Sequence, residues 1–185
     1  MDIHDKTQIK ASLRQSFGSI IYAMNEMSEE EFHTPVTEGK WSPSDIIGHL
    51  ILSTKPLSKA LSMPKKMLEA TFGVCNRTER SYTQTLDRYY DRLSDGVQAP
   101  ATFTFRNAHD KTKDYMISKF NNELRLLLET IDDWSERDLS HYVLPHPAIG
   151  KMTIREMLFF TNFHTLHHLK QVAVLSPAQK LAFRE

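Results

Sequence analysis

The sequence predicts an all-α protein, most simply a four-helix bundle. Four long segments carry apolar residues at helical spacing. Two of them open on recognisable helix-start signals. The length, 185 residues, suits a single domain spanning 1–185 with a substantial core. A long crossover separates the second and third segments.

The first segment runs roughly from Thr7 to Met27, with Ile9, Leu13, Phe17, Ile20, Ile21 and Met24 in phase. The second opens at Ser42-Pro43-Ser44-Asp45 and runs toward Leu61. Ser42 suits an N-cap, Pro43 the first helical position, and Asp45 the positive end of the helix dipole. Pro56 is expected to kink this helix or end its regular part. Within residues 62–108, Tyr82 to Leu93 predicts a short helix stopped by Ser94-Asp95-Gly96, and Thr102-Phe-Thr-Phe105 reads as extended chain. The third segment runs from about Lys111 to Trp134, with Tyr115, Met116, Phe120, Leu124, Leu127 and Leu128 expected inward. The fourth opens on Thr153-Ile-Arg-Glu156, a capping box. It carries Met157, Phe160, Thr161, His164, His168 and Val172 and is expected to stop before Pro177.

Lys plus Arg and Asp plus Glu number 23 each, for a formal charge of zero. That balance argues against a nucleic-acid surface, which needs a basic excess. No run of about 18 apolar residues predicts a membrane span. The first residues lack a secretory apolar core, and the lone Cys75 has no internal disulfide partner. Both fit a reducing cytoplasm. Cys75 is read as an ordinary thiol in a linker.

His164-Thr165-Leu166-His167-His168 carries the clearest chemical signal. Residues four apart share a helix face, so His164 and His168 can close on one ion. His49 in the second segment is a third candidate. It lies about 9 Å inside that helix, and His168 lies about 10 Å from the far end of its own. Antiparallel packing with flush ends puts all three at one depth. Three neutral imidazoles with an open fourth position form the ligand set of a catalytic zinc site. The competing reading is three ordinary helix histidines, satisfied by solvent or neighbours. His167 lies about 60° from His164 and about 100° from His168 around the helix, outside the ligand set. Gln171, three residues after His168, can hold a ligand imidazole or a substrate.

Three stretches resemble the DinB/YfiT-like superfamily of metal-dependent proteins. They are Ser28-Glu-Glu-Glu-Phe32 with Glu38-Gly-Lys-Trp41-Ser-Pro-Ser-Asp-Ile-Ile-Gly-His49-Leu50, then Pro145-His-Pro-Ala-Ile-Gly150-Lys-Met-Thr-Ile-Arg-Glu156, and last His164-Thr-Leu-His-His168-Leu-Lys-Gln171. The resemblance implies an up-down-down-up bundle and a divalent metal on His49, His164 and His168. It also implies zinc-dependent transfer or isomerisation with low-molecular-weight thiols, and makes homodimerisation plausible. It does not extend well to residues 62–108, where substrate specificity is expected to reside.

Three neutral histidines leave an ion its full 2+ charge, enough to acidify a water or thiol toward neutrality. Zinc is the default ion, with nickel or iron as alternatives. Thr165 stands where a metalloprotease HExxH motif has glutamate, which argues against that class. No general base is evident. Asp45 is assigned to helix capping. Glu156 and His146 are placed at the far end of the fourth helix, His146 more than about 20 Å from His164 by helical rise. Trp41, His33, Arg106 and His109 are candidates for the mouth of the site, though Trp41 also suits a core anchor. Tyr89 and Tyr90, with Arg88 and Arg92, read as an ordinary amphipathic helix. The leading expectation is a metal-dependent transferase or hydrolase acting on a small molecule. A non-catalytic metal-binding module and a metal-free helical dimer are the alternatives.

Overall fold

The computed structural model describes residues 4–35, 37–97, 100–105 and 107–173. Among the described residues the chain is mostly helical, with one small sheet. In order it forms α1 (Lys6–Asn25), α2 (Glu29–His33), α3 (Pro43–Leu61), α4 (Lys65–Phe72), α5 (Tyr82–Ser94), α6 (Lys113–Asp132), α7 (Glu136–His141), β1 (Val143–His146), β2 (Gly150–Thr153) and α8 (Ile154–Ala173). Two 3₁₀ turns, Ala101–Phe103 and Ala108–Asp110, lead from α5 to α6.

Side-chain caps start most of the helices. Ser42 Oγ accepts from the Asp45 N–H at 3.2 Å, and the Asp45 carboxylate accepts from the Ser42 N–H at 3.0 Å. Pro43 follows at the first helical position, where no N–H is needed. Thr153 and Glu156 form the same reciprocal pair ahead of α8, at 3.1 Å in both directions. Asp5, Ser28, Ser81 and Ser135 close capping boxes on α1, α2, α5 and α7.

Packing is dominated by α1, α3, α6 and α8. α1 lies against α8 and α6, and α3 against α6 and α8. Ile9, Leu13, Phe17, Ile20 and Met24 fill the inward face of α1, and Phe17 stacks on Phe120 of α6 at 4.4 Å between ring centroids. Trp134, just after α6, is buried and donates its Nε1–H to the Leu61 carbonyl at the end of α3. α8 is buried on nearly every face, because α1, α3, α5, α7 and both strands pack around it.

Several expectations need correction. Of the two outcomes expected at Pro56, an end to α3 does not occur: the helix runs to Leu61, as its expected span did. Pro56 is exposed, so the carbonyl one turn back that loses its partner can turn to water. Tyr115 points outward at 48% exposure while its neighbour Met116 is buried. One residue is about 100° of helix, and Lys111 and Lys119 lie over the Tyr115 ring. The stretch expected to be extended at Thr102–Phe105 begins as a 3₁₀ turn, with extended backbone only from Thr104. The hairpin β1–β2 goes beyond the all-α reading. Val143 pairs with Thr153 and His146 with Gly150, and Gly150 takes a positive φ of 85° that a side chain would strain. The expected stop before Pro177 and the mouth candidate Arg106 lie outside the described residues.

Candidate metal centre

His49 sits in the first half of α3, and His164 and His168 in the second half of α8. The fold brings these three together. His164 Nε2 lies 3.1 Å from His49 Nε2 and 3.1 Å from His168 Nε2. All three rings are buried, at 5–6% exposure, and one nitrogen of each can address a common ion.

The other ring nitrogens set the chemistry. His49 Nδ1 lies 3.0 Å from the Phe103 carbonyl oxygen. A carbonyl only accepts, so Nδ1 carries the proton and Nε2 presents a lone pair. His168 Nδ1 lies 2.8 Å from Gln171 Oε1, whose amide nitrogen faces His167 Nε2 at 3.3 Å. Gln171 thus accepts from His168 and donates to His167, which leaves His168 Nε2 bare as well. His164 Nε2 faces both bare nitrogens and has at most one hydrogen to offer. At least one of the two 3.1 Å contacts therefore has no hydrogen between its nitrogens, which a cation would resolve. A tetrahedral ion with bonds of about 2.0–2.1 Å holds its nitrogens about 3.3 Å apart, close to the spacing present. The donor set fits a divalent metal.

Electrostatics agree. Burial holds His164 well below its ordinary pKa, helped by the nearby His168 and His49. Burial, with His49 beside it, lowers His168 to about 3. His49 is also lowered, by burial, against the opposing hydrogen bond to Phe103. All three are neutral and ready to donate lone pairs at neutral pH.

The surroundings are aromatic. Trp41 lies 4.9 Å from the His49 ring and stacks toward His168 at 6.1 Å. It is partly buried against the hydrophobic core, as the core-anchor reading expects, and also touches the histidine rings. Phe160 stacks on His164 at 4.8 Å. Tyr89 of α5 is buried against Phe160, Phe163, His164 and His167, so it is more than part of an amphipathic face. Burial pushes its phenol up to about 12, with Tyr90 contributing; it is a protonated donor beside the site. His33 and His109 pair with each other at 5.8 Å and lie by Glu29 and Asp45. His33 closes α2 and His109 lies in the 3₁₀ turn before α6, and neither belongs to the three-histidine group. Asp45 is a capping residue, as expected.

His146 is nearer than helical rise implied. Its ring packs on Phe160 at 4.3 Å, so a single ring separates it from His164. The rise estimate assumed a chain running away below α8, whereas β1 folds back along it. His146 Nδ1 accepts from the Ala148 and Ile149 N–H groups at 3.2 Å each, and burial lowers its pKa to about 4. Glu156 does sit at the start of α8. It is held by Arg77 and Arg80 and takes no part in the cluster.

Three buried imidazoles gathered from two long helices form a histidine-only group that could hold a metal ion. The chain belongs to the DinB superfamily, whose family model matches residues 12–172. No curated protein and no solved structure gives a match.

Proposed function

We propose that this protein is a metal-dependent enzyme whose ion is held by His49, His164 and His168. The observation that carries the reading is the convergence of three Nε2 atoms, two of them bared by hydrogen bonds at Nδ1. Zinc is the proposed ion, since three imidazoles and no carboxylate suit it. When bound, it supplies Lewis acidity to a water or thiol entering the open position. The chain's own residues do the rest. Phe103 and Gln171 hold two ligand rings in the required tautomer. Trp41, Phe160 and Tyr89 exclude water around the cluster, and Tyr89 offers a neutral hydroxyl.

The proposed reaction is thiol-dependent transfer or hydrolysis on a small molecule, in the cytoplasm, by a single domain able to form a homodimer. No helix among the described residues is long and apolar enough to cross a membrane. We further propose an up-down-down-up bundle of α1, α3, α6 and α8. Supporting it, Lys113 at the start of α6 reaches the carbonyls of Asn25, which ends α1, and of Met27 just beyond. Lys10 near the start of α1 reaches Asp132 at the end of α6, and Arg155 at the start of α8 reaches the His4 carbonyl ahead of α1.

Zinc-loaded protein assayed with low-molecular-weight thiols and an electrophile, against His168→Ala, tests catalysis. Turnover lost in the variant supports the proposal. Identical rates point to a non-catalytic metal-binding module instead.

A further inference from the structure

We infer that the strap of residues 100–105 positions His49 for its role in the cluster, with the Phe103 carbonyl as the positioning group and Gly48 as the seat that lets the strap approach. This rests on the metal-centre reading and concerns the same site.

The strap is tied to itself. The Phe103 N–H donates to the Pro100 carbonyl at 2.9 Å, and the Thr104 N–H to the Ala101 carbonyl at 3.1 Å. The Phe103 carbonyl is left to accept from outside, and it accepts from His49 Nδ1 at 3.0 Å. The Phe103 ring also meets the His49 ring edge-on at 6.4 Å. The seat is one residue away. A Cβ on Gly48 would collide with Phe105 Cβ, lie 2.9 Å from its Cγ and 3.4 Å from Met116 Cε. Phe105 is therefore pressed onto bare helix backbone, and only glycine permits it. An open groove of about 470 Å³, lined by Leu52, Ala101, Thr102, Thr104 and Phe105, borders the same strap.

The chemical consequence concerns one proton. If the carbonyl withdraws, nothing holds the His49 proton on Nδ1, and it is free to move to Nε2, where it blocks the lone pair a metal needs. Because the positioning group is backbone, the identity of residue 103 carries no signal of it. The glycine beside the histidine does.

Two variants reach the strap from opposite sides. Gly48→Ala pushes on it from α3. Thr104→Pro disturbs it from the exposed side, removing the Thr104 N–H and forcing Phe103 out of its turn, with α3 untouched. Gly18→Ala, at an exposed helical glycine with open space around it, controls for the substitution type. The first readout is the ¹⁵N shift pair of His49 in metal-free protein. The second is the zinc dissociation constant from competition with a chromophoric chelator. We expect wild type and Gly18→Ala to show the proton on Nδ1. Both strap variants should shift it toward Nε2 and bind zinc about 10–100-fold more weakly, with helix content retained. Strap variants that keep the Nδ1 proton and wild-type affinity overturn the inference. If Gly48→Ala fails to fold, Thr104→Pro decides it alone. Wild-type protein that binds no zinc refutes the metal reading, while the tautomer in metal-free protein still decides the strap.

Discussion

At Gln171 one amide serves two histidines, accepting from His168 Nδ1 and donating toward His167. Replacing it by alanine should weaken zinc binding about 10–100-fold while leaving the ligands in place. Chelator competition checks this, and unchanged affinity would dismiss the role. Glu156 shows how a buried charge is kept. Burial pushes its pKa up, but hydrogen bonds from Arg77, the Arg80 N–H and the Thr153 N–H outweigh this and hold it below the ordinary carboxylate value. Its stabilising effect is therefore complete above about pH 4.5 and is lost as pH falls through the lower folded value. His146 and His168, lowered to about 4 and about 3, act in the same direction. Between about pH 6.5 and 4 the unfolded chain takes up protons that the folded chain refuses, so stability falls as pH falls. The urea midpoint of metal-free protein should drop across that window. A flat profile from about pH 7 to 4 would contradict the burial of these groups.

The elements differ in how much of them the residues disclose. Ser42-Pro43 and Thr153-x-x-Glu156 start α3 and α8 where their chemistry indicated, because a cap is a local hydrogen-bond pattern. The i,i+4 pair His164 and His168 was legible for the same reason. His49 became legible through depth along a helix, which translates directly into distance. The hairpin was not, since four-residue strands carrying Pro145 and Gly150 give no alternation to detect. The positions of His146, Tyr89 and the Phe103 carbonyl depend on how the crossover and hairpin fold back, a tertiary outcome no local pattern encodes. At this scale Gly18 offers a clean test. It is an exposed glycine inside α1, and a Cβ added there would meet nothing within 4 Å. Gly18→Ala should stabilise the protein by about 0.5–1 kcal/mol, read from thermal or urea unfolding; destabilisation would mean α1 is not helical there.

For the whole molecule, one end carries the histidines and the other the charged ties around Glu156, Arg155 and Trp134. A metal held by the three histidines would join α3 to α8, so its binding should stabilise the entire fold. At a free zinc concentration about one hundred times its dissociation constant, the gain is about 2.7 kcal/mol. It should vanish in the histidine variants. The most direct test of the metal centre is the metal content of purified, zinc-supplemented protein, compared for wild type, His49→Ala and His164→Ala with helix content monitored in parallel. One ion per wild-type chain is predicted, with sharply reduced content in both variants and most helix retained. No metal in wild type, or equal metal in all three, would contradict it.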